Sequence, residues 1–124
     1  MGTRMRAINI LAGLTGVVAV AMLVLASHAL RATLAPDDVE RIRMAAYLQL
    51  FSACAGLALA NRSGRLNAIG AFLILGGASL FALALHTLAI VGTAALIMLA
   101  PVGGISMIAG WVVVAFAKPS VANG

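Results

Sequence analysis

Residues 66–117 form a stretch of 52 residues without a single Asp, Glu, Lys or Arg. As one continuous helix this stretch would be about 78 Å long, more than twice the ~30 Å thickness of a bilayer's hydrocarbon core. The chain must therefore cross a membrane, turn and cross back within it. Two further apolar blocks, residues 7–30 and 44–60, each supply one more crossing. The sequence thus predicts four membrane spans.

We place these spans at about 8–30, 44–60, 66–90 and 94–117, within a single transmembrane domain that covers residues 1–124. Their connections are short, so sequential helices run antiparallel. The expected fold is all-α, an integral membrane antiparallel four-helix bundle.

Residues that typically start or end helices refine the expected boundaries at three places. Asp37 with Glu40 three residues later has the pattern of a helix N-cap, which predicts that the second helix starts near Asp38. The turn after the third span is expected at Val91-Gly92-Thr93, because Gly and the β-branched Thr weaken a helix there. Pro101 leaves two alternatives, a fourth helix that starts near residue 94 and kinks, or a helix that starts with Pro101 among its first residues.

Composition excludes several classes of protein. Only 9% of the residues are charged and 64% are hydrophobic, which leaves no room for a soluble catalytic or nucleic-acid-binding domain. The net charge of +5 comes from basic residues at span ends, a distribution that fixes topology and attracts lipid headgroups rather than nucleic acid. Cys54 is the only cysteine and excludes an intramolecular disulfide and a cysteine-rich metal site.

The distribution of Lys and Arg predicts the orientation. One side would carry five basic residues: Arg4, Arg6, Arg62, Arg65 and Lys118. The other would carry three, Arg31, Arg41 and Arg43, together with all the acidic residues. Because cytoplasmic segments are richer in Lys and Arg, both termini are predicted to be cytoplasmic, in a bacterial inner membrane.

Small residues recur at spacings that place them on one helix face. Helices in lipid associate through close packing, and small residues let their backbones approach. The residues that we predict to mediate helix packing are Gly16, Ser52, Gly56, Ala60, Gly103, Gly104 and Gly110. We also expect Trp111 to pack within the bundle, because it lies in the middle of a span.

Polar side chains within spans are the candidates for a functional site. With the predicted spans, His28, Gln49 and His86 share a similar depth toward the non-cytoplasmic side. One interpretation is a small site that holds a haem, a quinone headgroup or another cofactor. The other is that these side chains reach interfacial water or bond across helices, which is the commoner role. Two histidines without adjacent Cys, Asp or Glu are an incomplete metal set, so we predict no metal, and no cofactor is assigned.

Several short motifs resemble those of a known family. They are Ser27-His28-Ala29-Leu30 at the end of span 1, Leu80-Phe81 followed by Leu88-Ala89-Ile90 in span 3, and the run Pro101-Val102-Gly103-Gly104 that leads to Gly110-Trp111. They are similar to motifs of a small four-span membrane family of unknown function that includes bacterial YgdD and transmembrane protein 256. The family often has a His in span 2 where this chain has Ser52, and a Tyr in span 3 where it has His86. The resemblance implies an integral membrane protein and assigns no activity.

Three functions remain open at this stage. The leading hypothesis is a non-enzymatic structural or accessory subunit that packs against a larger inner-membrane complex or against itself, since small faces are plentiful and no nucleophile–base pair is visible. A redox membrane protein that binds a cofactor or quinone through His28 and His86 is one alternative. A minimal transporter is the other, although no span contains the carboxylate that proton coupling needs.

Overall fold

The computed structural model describes residues 2–118, which form four long helices. The helices are α1 (Gly2–Ser27), α2 (Pro36–Ala60), α3 (Arg65–Val91) and α4 (Leu99–Phe116), with a short 3-10 helix at Leu30–Ala32 between the first two. No strand occurs within residues 2–118. All four helices are long and apolar enough to cross a membrane. The predicted all-α, four-span architecture is therefore confirmed.

Two boundaries around the first loop differ from the prediction. Helix α1 ends at Ser27 rather than near residue 30, because the chain tightens there into the 3-10 helix. Helix α2 starts at Pro36, and its N-cap is Ala35 without a side-chain cap, so the predicted cap at Asp37 is wrong. Proline suits the first helical position because its φ is already helical and its missing N–H needs no partner there. Asp37 instead lies in the first turn, where its charge complements the helix dipole.

The turn after α3 is at Gly92, as predicted. Gly92 has φ 78°, in the left-handed region that favours glycine, and its N–H donates to the carbonyl of Leu88 at 3.1 Å. Helix α4 then starts at Leu99, five residues after the predicted start, because residues 95–98 form tight turns that are closed by backbone bonds from i+3 to i. Pro101 is the third residue of α4, which decides between the two alternatives in favour of the later start.

Sequential helices pack against each other, but the first and last helices of the described chain do not pack together, so the bundle is open. Helix α1 contacts α2 and, more sparsely, α3; α2 contacts α3; and α3 contacts α4. Within residues 2–118, no Cα atom of α4 lies within 8 Å of a Cα atom of α1 or α2. The side-chain contact of Ser52 Oγ with Met107 Sδ, at 3.9 Å, links α2 to α4. Helix α4 is therefore held mainly by α3.

Both ends of the described chain lie beside the turn that follows α2. Arg4 and Arg62 line one small cavity, which places the start of α1 at this turn. The side-chain amide of Asn67 donates to the backbone oxygen of Lys118 at 3.0 Å, which places the end of α4 there as well. The start of α1, the turn after α2 and the end of α4, which carry most of the basic residues, thus share one end of the molecule.

The interface between α3 and α4 depends on glycine. A Cβ atom added at Gly77 would lie 2.5 Å from the carbonyl oxygen of Gly103, and one at Gly110 would lie 2.9 Å from the backbone nitrogen of Ile74. Gly70 similarly lies opposite Gly110. The two backbones are in direct contact at these positions, so only glycine fits. Ser106 adds an interhelical hydrogen bond, from its Oγ to the carbonyl of Leu73 at 2.9 Å.

The other small residues predicted to pack have different environments. Ser52, Gly56 and Ala60 are buried, and a Cβ at Gly56 would meet the end of the Leu75 side chain at 2.7 Å. Gly16 faces Ala53 at an ordinary contact distance of 3.8 Å. A Cβ at Gly104, in contrast, would meet nothing within 4 Å, so this glycine packs against no other helix of the described chain.

Trp111 does not pack inside the bundle as predicted. Its side chain is 51% exposed, since α4 turns its inner face, Gly103 and Gly110, toward α3 and Trp111 lies one residue past that face.

Candidate functional site

The polar pair at the centre of the candidate site joins α2 to α3. Gln49 is buried, with 5% of its surface exposed, and its Oε1 lies 3.1 Å from Nε2 of His86. The two helices are antiparallel neighbours, so residues 37 positions apart in sequence meet at one depth. With the amide oxygen on this side, Nε2 of His86 carries the proton and donates it to Gln49.

The second imidazole nitrogen has no partner among the described residues. With Nε2 protonated, Nδ1 of neutral His86 is an acceptor, and it is buried without a hydrogen bond. A buried polar atom without a partner costs free energy, and such an atom in a native fold calls for an explanation. The pair therefore retains unused hydrogen-bonding capacity.

A groove of about 270 Å³ lies beside this pair, between α1 and α3. Its walls are mostly aliphatic, and its lining residues are Leu11, Leu14, Thr15, Val18, Gln49, Ser79, Ala82, Leu83 and His86. The hydroxyl of Thr15 donates to the carbonyl of Leu11 at 2.7 Å, and that of Ser79 donates to the carbonyl of Leu75 at 2.8 Å. Both hydroxyl protons are thus used within their own helices, which leaves the Gln49–His86 pair as the distinctive polar feature of the groove.

His28 does not join this groove. It is exposed, it follows the last residue of α1, and it is not among the residues that line the groove. Val18, the groove residue nearest to it in sequence, is ten positions away, about 15 Å along a helix. The predicted cluster of three is therefore a pair in the structure. The sequence-based depth assumed that the ends of spans 1 and 3 align, whereas His86 lies at the level of the middle of α1.

Two lining residues, Thr15 and Ser79, were missed by the sequence analysis. A lone Ser or Thr in an apolar helix commonly bonds to the carbonyl four residues earlier, so neither gives a sequence signal of its own. Within residues 2–118, no group of three or more His, Cys, Asp or Glu side chains is placed to hold a metal ion.

Comparison with known proteins gives one match. A family model described as "Protein of unknown function (DUF423)" matches residues 24–104, which is more than half of the chain and includes α2, α3, Gln49 and His86. No curated protein matches the chain. No solved structure matches it either.

Proposed function

This chain belongs to the DUF423 family of proteins of unknown function, and we propose that it is a non-enzymatic accessory subunit of the bacterial inner membrane. In this role it packs against a larger membrane complex. The observation that carries the proposal is the exposure of α4, which packs mainly against α3 and leaves most of its remaining surface apolar and uncovered by the described chain. The identity of the family as such assigns no activity.

One flank of α4 has the shape that a partner helix requires. Gly104, Ile108 and Trp111 are four and seven residues apart, so they lie on one side of the helix, which we call the α4 flank. Gly104 forms an unfilled notch, while Ile108 and Trp111 project beside it, 65% and 51% exposed. Small residues that permit close backbone approach are typical of helix contacts in lipid. The flank carries no charge, so its expected partner is an apolar transmembrane helix of another chain.

We expect Gly104→Leu to abolish this association while the protein still folds. The leucine fills the notch and pushes a partner helix outward, whereas its Cβ atom meets nothing within 4 Å in the described chain. The measurement is affinity purification in mild detergent from native cells, with quantification of each co-purifying membrane protein. A specific partner should be lost from Gly104→Leu and retained in the matched control Gly13→Leu, where an added Cβ atom also meets nothing within 4 Å. Identical profiles for the two variants would contradict the proposal.

A second candidate function is favoured by the Gln49–His86 pair. A quinol hydroxyl can donate to the unpaired imidazole nitrogen; with the Gln49 amide turned so that its NH₂ group donates to Nε2, the other nitrogen carries the proton and can donate to a quinone carbonyl. The groove, at about 270 Å³, is just below the ~300 Å³ typical of the smallest ligand pockets, which suits a single-ring headgroup. Leu14 and Leu83 would contact its tail where the groove opens to lipid. This proposal concerns binding, and it assigns no electron-transfer step.

We expect His86→Phe to weaken the binding of decylubiquinone about tenfold, which corresponds to ~1.4 kcal/mol. The fold should survive, because hydrogen bonds in membrane bundles contribute on average only about 0.6 kcal/mol. Calorimetric titration of the purified protein measures the affinity, and circular dichroism measures the fold. His28→Ala is the matched control, since it removes an imidazole outside the groove and should change neither. Equal affinity in His86→Phe and the native protein, or no affinity in either, would exclude this function.

A further inference from the structure

A further cavity, of about 460 Å³, lies where the end of α1 meets the start of α2. It combines three charged side chains with an apolar wall, and its lining residues are Ala26, Arg31, Leu34, Pro36, Val39, Glu40 and Arg43. It lies at the end of the molecule opposite the chain termini, and neither proposed function uses it. The charges are two guanidiniums and one carboxylate, so the cavity is net positive.

Arg43 is the deepest cation of this cavity and is incompletely paired. It lies seven residues after Pro36, about 10 Å along α2 from the helix start. Its Nη2 is 3.4 Å from Ser27 Oγ, which is long for a hydrogen bond, and its Nε is buried without a partner. A buried charged donor without a partner costs free energy, and the described chain does not supply the acceptor that would offset this cost.

The nearby acidic residues do not neutralise the two arginines. Within residues 2–118, the ion pair that forms is Arg41 Nη1 with Asp38 Oδ1, at 2.6 Å, and it lies outside this cavity. Glu40 lines the cavity but forms no ion pair with Arg31 or Arg43. Both arginines are therefore available to an anion.

We propose that Arg31 and Arg43 bind a phosphate group, supplied by a membrane phospholipid or by free phosphate. Arginine presents planar sets of donors that match phosphate oxygens, and two of them on one cavity can bind a phosphodiester together. Ala26, Leu34 and Val39 form an apolar wall beside the charges, as an acyl chain below a headgroup requires. The cavity also lies at the ends of two spanning helices, where headgroups are located. These features favour an anionic phospholipid as the source.

Native mass spectrometry and thermal unfolding of the full chain in detergent test this site. The probes are phosphatidylglycerol, a phosphate-free glycolipid with the same acyl chains, and inorganic phosphate. We expect one phosphatidylglycerol to stay bound to the native protein and to raise its unfolding temperature. Arg31→Gln and Arg43→Gln should each reduce its retention at least fivefold, and Glu40→Gln should increase it because a competing negative charge is removed.

Arg41→Gln is the matched control, since Arg41 lies on the same helix but is paired with Asp38 outside the cavity. It should retain the lipid as the native protein does. Stabilisation by inorganic phosphate that is lost in both cavity variants would support the site and assign free phosphate as its ligand. Equal binding of the glycolipid, or undiminished phosphatidylglycerol binding in Arg31→Gln, would overturn the proposal. Arg31 is exposed on the 3-10 helix, so its variant tests the site even if Arg43→Gln fails to fold.

Discussion

Gly103→Ala is expected to destabilise the protein by about 1–3 kcal/mol, the usual cost of forcing an extra group into a packed interface. Its new methyl group would lie 2.6 Å from the backbone nitrogen of Phe81 and would also collide with the carbonyl oxygen of Gly77. Backbone atoms cannot rotate away as a side chain can, so α3 and α4 must separate. This separation also strains the hydrogen bond from Ser106 to the carbonyl of Leu73.

Gly104→Ala provides an unusually close control for this experiment. It makes the same chemical change one residue later on the same helix, where the methyl group meets nothing within 4 Å. Because alanine favours helix over glycine, this variant should be as stable as the native protein or slightly more stable. Thermal unfolding of the native protein and both variants in the same detergent measures the difference. Equal unfolding temperatures for the two variants would show that the α3–α4 contact is looser than the structure indicates.

Cysteine labelling is expected to give an all-or-none result for the two ends of the bundle. Both variants are made in a Cys54→Ala background. Thr33→Cys should react with an impermeant thiol reagent in cells whose outer membrane is permeabilised. Asn61→Cys should react only after the inner membrane is also disrupted. The reason is the excess of Lys and Arg at the end that holds both termini, since such excess favours the cytoplasm.

Thr33 and Asn61 are chosen because both are exposed and uncharged, so neither substitution changes the charge balance that sets the orientation. Their opposite placement follows from the structure, because they lie at the two ends of α2. Labelling of Asn61→Cys but not of Thr33→Cys in permeabilised cells would reverse the proposed orientation. Labelling of both would indicate two orientations in one membrane.

The number and approximate positions of the spans could be predicted because they depend on the hydrocarbon that surrounds the helices. In hydrocarbon, backbone groups must bond within their own segment, so a long charge-free stretch must be helical and its length sets the number of crossings. Gly92 was also predictable, because a local turn at that point requires a residue that tolerates positive φ. The start of α4 was harder to predict, because Pro101 permits two helix starts equally. The backbone bonds of residues 94–100 decide between them.

The candidate site was predicted only in part. Gln49 and His86 were recognisable as polar groups in apolar segments, and the structure joins them. His28 was grouped with them because depth was counted from span ends, whereas the relative position of α1 and α3 along their axes is set by side-chain packing. The partly unpaired Arg43 gave no signal, because its isolation depends on where Ser27 and Glu40 lie in space.

The sequence by itself determined that the protein is helical, that four of its helices are long and apolar enough to cross a membrane, and that both ends of the described chain lie at the same end of the molecule. These properties follow from local hydropathy and chain length. Only the tertiary structure decided which glycines form contacts. Gly103 and Gly104 are identical neighbours in sequence, yet a 100° rotation per residue turns the first toward α3 and leaves the second on the uncovered flank. Which face of a uniformly apolar helix is covered depends on its neighbours, and hydropathy does not record them.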